Sequence, residues 1–365
     1  MRIAFATEDF VEINDHLYPG GCAYYRCMLP KNAAGPLSAF GPTAWSGERG
    51  FGVRINKQQA RFGFDTVVLK MLMARWVPEQ MRMAQRLGQR LIVDVDDHYD
   101  GLHETNMAWE TTHPEKNKIH NRTHYREVIE QADVVTVSTP FLFDYYKDKV
   151  RKVVLIRNGI NPNQFQRRKQ RSTKPVLGWA GAMKWRSNDA ETAVPWLGEF
   201  LEQHDLMFHH AGHMPDALSF AEAAGIDPAR VTTSPMRIIT EYHQMLQFDI
   251  GVVLLSDIPF NQAKSTIKGL EYAASGIPFV AQALPEYTRL AEQGVGRVAH
   301  TAADWRSHLE DLLDYRTRKR EAAVMRTLAL EQHSIINRAP EWKELFEDTY
   351  RFAPIKSCTI GYVNA

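Results

Sequence analysis

The residues whose types and spacing best fit a chemical task are Lys268 and Glu271, inside the run FDIGVVLLSDIPFNQAKSTIKGLEYAASGIPFVAQALPEY at 248–287. Three residues apart on a helix, the two share a face. A lysine there can neutralise phosphate, and a carboxylate that accepts two hydrogen bonds suits a ribose diol. Ser265 is a good helix N-cap, Thr266 to Ser275 are compatible with helix, and Gly276 followed by Pro278 supplies the stop. The N–H groups and the positive dipole end at such a start form an anion site suited to a diphosphate. A surface helix with an ordinary ion pair is the plainer alternative.

Other runs carry chemistry with less definition. GWAGAMKWRSNDAE (178–191) reads as a strand, a glycine turn at Gly181 and a helix, with Lys184 and Arg186 as cations. Near the N-terminus, LYPGGCAYYRCMLP (17–30) combines Gly20 and Gly21 with Tyr24, Tyr25 and Arg26. Glycines there let backbone approach a ligand, but the spacing is not the dinucleotide fingerprint, so a dehydrogenase loses its main support. A turn with a core tyrosine pair is the competing reading.

VDVDDHYDGLH (93–103) gathers Asp94, Asp96, Asp97 and His98 at a strand end. Carboxylates bunched in this way can take a proton from an acceptor hydroxyl, and their mutual repulsion can raise one pKa. Asp97 is the first choice for that role, with Asp96 and His98 behind it. Asp94 and Asp96 also spell the DxD of metal-dependent sugar transferases of another fold. No metal is expected, because basic side chains and a helix end already fill the cation role. In HHAGHMPD (209–216), adjacent His209 and His210 point to opposite faces of a strand and cannot share one ion, so they are expected to line a cleft with His213.

These residues need elements to position them. Apolar runs at 2–7, 66–72, 90–97, 134–138 and 152–159 alternate with helical segments such as 78–89 and 123–133, the pattern of a doubly wound parallel sheet. A polar, basic, proline-bounded stretch at 161–175 reads as a linker, and its cluster RRKQR (167–171) as a solvated one. The pattern restarts with strands at 176–181, 206–212, 230–235, 249–255, 277–282 and 296–300, and helices at 189–204, 239–247 and 266–275. Two α/β domains are therefore expected, 1–168 and 172–335. A C-terminal helix over 340–365, with Trp342, Leu345, Phe346 and Tyr350 on one stripe, is expected to pack back on the first domain. Ligands of open α/β sheets bind beyond the carboxyl ends of the strands, so two such sheets imply a cleft between domains.

Composition agrees with two domains. The 365 residues are 44% hydrophobic, enough for two ordinary cores. Lys and Arg number 44 against 43 acidic residues, so no strong field draws nucleic acid or an anionic membrane. Cys22, Cys27 and Cys358 show no metal-ligand spacing and favour a reducing compartment, with cytoplasm the expectation. No stretch approaches a membrane span.

The blocks ADVVTVSTPFL (132–142), IRNGINPNQF (156–165), DIGVVLL (249–255) and PFNQAKSTIKGLEYAASGIPFVA (259–281) resemble the GT-B glycosyltransferases, a large group typified by bacterial sugar transferases for polysaccharide and glycolipid synthesis. The resemblance covers roughly 130–290. It implies two Rossmann-like domains facing across a cleft, with the second holding the donor nucleotide: Ser265 and Thr266 amides and Lys268 on the diphosphate, Glu271 on the ribose. It also implies cations at Lys184 and Arg186 against the diphosphate, backbone recognition of the base near Arg237 and Ile238, and Gly20 and Gly21 over the donor phosphates from the opposite domain. Tyr24, Arg26 and Asp97 fall on the acceptor side. Many relatives carry a second glutamate eight positions before the equivalent of Glu271; here Ala263 stands there, and Asn261, Gln262 or Lys264 are left to meet the sugar.

The function so implied is transfer of a sugar from a UDP- or GDP-sugar to a hydroxyl acceptor, metal-independent and with retention of anomeric configuration. No cofactor is expected beyond the nucleotide-sugar co-substrate. A saccharide, a lipid-linked glycan or a modified DNA base remain open as acceptors. The basic linker motivates the DNA alternative, and Ala263 motivates a non-catalytic sugar-nucleotide-binding protein.

Overall fold

The computed structural model describes residues 1–35, 37–171, 173–185, 187–348 and 359–362. The chain divides into two units. Unit 1 comprises Met1–Asp100, Glu110–Gly159 and Ile335–Ala365, and unit 2 comprises Gly101–Trp109 and Ile160–Ser334.

In chain order, unit 1 contains β1 (Ile3–Thr7), β2 (Phe10–Ile13), β3 (His16–Pro19), β4 (Ser38–Ser46), β5 (Gly50–Arg54), β6 (Gln59–Phe62), β7 (Thr66–Lys70), β8 (Arg90–Val95), β9 (Val134–Val137) and β10 (Val153–Leu155). β1 and β7 are buried along their whole length, as strands covered on both faces must be. The sheet order is β10-β9-β8-β7-β1-β4-β5-β6, closed by a late strand at Thr359–Tyr362. Its first six members are parallel, whereas β4 through the late strand pair antiparallel. From β1 the chain steps to one neighbour, β4, and later to the other, β7. The strand order therefore reverses between β1 and β7, the place where such sheets bind ligands.

Alternating strand and helix patterns do not predict β4 to β6, the β2–β3 hairpin or the late strand. The antiparallel extension depends on glycine: a Cβ on Gly52 would lie 2.2 Å from the Arg61 carbonyl oxygen. The C-terminal expectation is corrected in part. Among the described residues helix runs over Ile335–Asp348, and 359–362 is strand. Trp342, Leu345 and Phe346 pack with Phe5, Val68 and Ile92 in the core of unit 1, Phe5 meeting Trp342 edge-on at 5.9 Å. Tyr350 lies outside the described residues.

Unit 2 contains β11 (Val176–Ala180), β12 (Met207–His213), β13 (Val231–Pro235), β14 (Ile250–Val253), β15 (Phe279–Gln282) and β16 (Arg297–Ala299), ordered β13-β12-β11-β14-β15-β16 and parallel throughout. This is the 3-2-1-4-5-6 order of dinucleotide-binding sheets, with its reversal between β11 and β14. The helix expected over 189–204 is broken into Ser187–Ala190, Glu191–Ala193 and Leu197–Gln203, because Pro195 can neither donate nor avoid the carbonyl behind it. At 239–247 a 3-10 turn, Ile239–Met245, replaces the expected α-helix.

The linker reading is also corrected. Arg168 N donates to the Ser275 carbonyl at 2.7 Å, and Gln170 Nε2 to that of Gly276 at 2.8 Å. Buried Arg318 donates to Gln170 Oε1 and to the Arg171 carbonyl. Arg168 and Arg171 both face the buried carboxylate of Asp249. The stretch is thus packed within unit 2, and the basic patch that motivated a DNA acceptor is partly spent inside the fold. Among the described residues no helix is long and apolar enough to cross a membrane.

Candidate active site

In unit 2 the helix Ile267–Ala274 starts beside the strand-order reversal. Its N-cap is Thr266, not Ser265, and no side chain caps it. The first intrahelical bond runs from Leu270 N to the Thr266 carbonyl at 3.0 Å. Amides of the first turn therefore lack intrahelical partners and present a positive end. The far end closes as expected: Gly276, at φ +73°, donates to the Ala273 carbonyl, and Ile277 to that of Tyr272.

Lys268 is not a loose surface cation. Its Nζ lies 4.4 Å from the ring centroid of Trp179, a fully buried residue on β11. A Cβ on Gly181 would come within 3.3 Å of that Nζ and 2.7 Å of the indole, so glycine at the end of β11 leaves room for the cation. Glu271 is only 4% exposed, so its carboxylate does not lie on an open surface. His210 Nε2 donates to the Gly181 carbonyl at 2.9 Å and its ring lies against Trp179. Burial lowers its pKa to about 4, so the imidazole is neutral. His209 turns instead to the hydroxyls of Thr232 and Ser234. Both histidines are interior.

The residues left to replace the glutamate are engaged elsewhere. Ala263 is fully buried. Asn261 is 1% exposed and donates to Asp189, Gln262 donates to Asp257, and Lys264 Nζ sits 4.1 Å over the Phe260 ring. Lys184 pairs with exposed Asp216. Arg237 pairs with Glu241 at 3.1 Å, and the Ile238 carbonyl accepts from Glu241 N, both just beyond β13. Arg186 lies outside the described residues.

In unit 1 the acidic run does not act as a repelling cluster. Asp94 is fully buried between two cations: Arg26 Nη2 approaches Oδ2 at 2.6 Å, and Lys70 Nζ approaches Oδ1 at 3.3 Å. Lys70 also pairs with Asp96. Burial alone would raise the Asp94 pKa, yet Arg26 and Lys70 outweigh it and hold the carboxyl below its usual range. Two cations thus balance two carboxylates.

Arg26 and Tyr24 are corrected as acceptor contacts. Arg26 is 1% exposed, also donating to the Ile156 carbonyl and Asn158, and Tyr24 stacks edge-on against Tyr25 in the interior. Asp97 remains partly exposed at the strand end. His98 is buried between Phe141 and Tyr145, its Nδ1 has no partner among the described residues, and burial lowers its pKa.

Sequence reasoning missed Asp9. The Gly20 N–H donates to the Asp9 carbonyl at 2.8 Å, and the Asp9 carboxylate accepts from Ala23 N at 2.7 Å. A Cβ on Gly20 would fall 2.0 Å from Asp9 Oδ1, so the glycine serves the close approach of an acidic residue of the same unit. Burial raises the Asp9 pKa against the Ala23 amide. Cys22, Asp96 and Asp97 offer ligand atoms within 4.8 Å of one another, but Asp96 is neutralised by Lys70, and burial first, then Asp96, keeps the Cys22 thiol protonated. That donor set suits a dication poorly.

No family model matches the chain. A protein of Bacillus subtilis strain 168 named for teichuronic acid biosynthesis, the glycosyltransferase TuaH, is 25% identical over 185 residues, covering 45% of this chain and 43% of that protein. The match therefore spans less than half of that relative's length. Among solved structures, the sucrose-phosphate synthase of Thermosynechococcus elongatus superposes with a TM-score of 0.63 at 13% identity, covering 96% of this chain and 99% of that one. Anabaena HepE in complex with UDP-glucose gives a TM-score of 0.62 at 12% identity, covering 95% and 100%. With its two Rossmann-like units, the chain has the GT-B fold of these glycosyltransferases.

Proposed function

We propose that the chain is a glycosyltransferase that moves a sugar from a UDP-sugar to a hydroxyl-bearing acceptor, with unit 2 holding the nucleotide. The observation that carries this reading is Lys268, seated on Trp179 beside Gly181, at the uncapped start of a helix and at the strand-order reversal. The first-turn amides and Lys268 take the diphosphate, and buried Glu271 takes the ribose diol. UDP is preferred over GDP because the HepE structures similar to this chain contain UDP and UDP-glucose.

In the reaction the acceptor oxygen bonds to the anomeric carbon as the bond from that carbon to the diphosphate breaks. The acceptor proton passes to the departing phosphate oxygen, and configuration is retained. Charge grows on the diphosphate as it leaves, so cations beside it favour the transition state over the ground state. Lys268 and the helix end supply that charge, with Lys184 as a further cation, and no metal is needed. Asp97, backed by His98, holds the acceptor hydroxyl.

Thermal shift against UDP, GDP, ADP and dTDP, followed by turnover of UDP-glucose with and without EDTA, tests the reading. UDP alone is expected to stabilise, and EDTA to leave turnover unchanged. No stabilisation by any of the four nucleotides sinks it, and loss of turnover in EDTA sinks its metal-free form.

A further inference from the structure

We propose that Asp189 is a positioning residue for the donor diphosphate, tying the short helix Ser187–Ala190 after β11 to the loop after β14 and so fixing the start of the Ile267–Ala274 helix. The role rests on the donor-site reading above. Asp189 follows β11 and Ser256 follows β14, the two strands between which the order reverses.

Three donors converge on one oxygen. Asp189 Oδ1 accepts from Ser256 N at 2.9 Å, Ser256 Oγ at 3.1 Å and Asn261 Nδ2 at 2.7 Å. Asn188 Nδ2 donates to the same Ser256 hydroxyl at 2.6 Å, and Asn261 Nδ2 also reaches the Ser256 carbonyl at 2.9 Å. Asp189 is 2% exposed, so these charge-assisted bonds form away from water, where they are strongest.

Between β14 and the helix, the chain has only the single turn Pro259–Gln262 to stiffen it. That stretch delivers Lys264, Ser265 and Thr266 to the helix start. An anion site built from backbone amides works only if they are held to within about 0.5 Å, which a short turn cannot do by itself. The network also accepts a cost: Asn261 Oδ1 is buried with no partner among the described residues. An apolar contact at this place would avoid leaving an acceptor unsatisfied. Holding the amide of Asn261 on a carboxylate at that cost points to a demand for position.

The test compares ligands that share the nucleoside but differ in the diphosphate. In isothermal titration, Asp189→Ala is expected to raise the UDP Kd at least tenfold while the uridine Kd stays within twofold. The donor KM should rise with it and kcat stay within threefold. Asp189→Asn keeps an acceptor oxygen and should recover part of the loss. Asn261→Ala removes one donor but leaves the carboxylate; it should give a smaller loss for UDP alone, and decides the matter if Asp189→Ala does not fold. Equal losses for uridine and UDP, or no loss for either, in folded variants overturn the role. A wild-type chain that binds no UDP removes the donor-site reading itself, and this role with it.

Discussion

Replacing Lys268 by Met keeps most of the unbranched stem over Trp179 and removes only the charge. The ammonium now sits 4.4 Å from the indole centroid, next to the space left by Gly181. A hydrogen bond between a charged group and phosphate contributes about 1.5–3 kcal/mol net. Each 1.4 kcal/mol is roughly tenfold in affinity, so the UDP Kd should rise about ten- to a hundredfold.

The same figure sets the thermal-shift result. At UDP of about 100 times the wild-type Kd, ligand stabilises the wild type by roughly 2.7 kcal/mol, and a variant weakened about 50-fold keeps only about 0.6 kcal/mol. For a unit of this size 1 kcal/mol moves Tm by about 2–4 °C, so a shift of roughly 5–11 °C should shrink to about 1–3 °C. Losing the contact with the indole also lowers the ligand-free stability by about 0.5–1 kcal/mol, and subtracting the ligand-free melt separates the two effects. A folded Lys268→Met protein with an unchanged UDP Kd would refute the assignment of the diphosphate to this helix start.

Two further predictions concern stability. Asp94→Asn leaves Arg26 and Lys70 buried with one carboxylate fewer, and should cost unit 1 about 3–5 kcal/mol in urea denaturation; a loss under 1 kcal/mol would show that the chain of charges is not a balanced one. His210 is depressed to about 4, below the ordinary histidine value, so its contribution to stability is full above pH 6.5 and is lost as pH falls from there to about 4. His210→Gln should therefore flatten acid unfolding of unit 2 in that window, and an unaltered profile would count against the shift.

Much of unit 2 was legible because parallel strands covered on both faces read as continuous apolar runs, and IGVV and FVAQ do. The start of the Ile267–Ala274 helix was legible to within a residue; Ser265 and Thr266 are both acceptable caps, and only the backbone decides between them. The strand-helix rhythm could not give the antiparallel half of the unit 1 sheet, since β4 to β6 pair as consecutive hairpins with close glycine contacts and no helix between them. The acidic run misled for a related reason. Asp94, Asp96 and Asp97 are neighbours in sequence, but the charges that set their behaviour come from Arg26 and Lys70, on other elements. Asp189 was hidden in the same way: its partners lie 67 and 72 residues further along the chain.

The two units differ at comparable places, and the difference bears on the proposed placement of the nucleotide. Each has a strand-order reversal with a glycine beside it, and in each a helix begins nearby. In unit 1 the helical turn that starts at Gly21 already has an anion: Asp9 accepts from Ala23 N, and its carboxyl is raised by burial, with the charge of Asp96 adding to the effect. A phosphate placed there would meet a like charge at close range, which disfavours it. In unit 2 the helix start has no side-chain cap, and Lys268 stands in its first turn. On the proposed reading, a dianion there gains from amides, dipole and ammonium. Gly20 is the residue that seats Asp9, since a Cβ there would fall 2.0 Å from Asp9 Oδ1, and this resident carboxylate argues for the proposed placement of the nucleotide in unit 2.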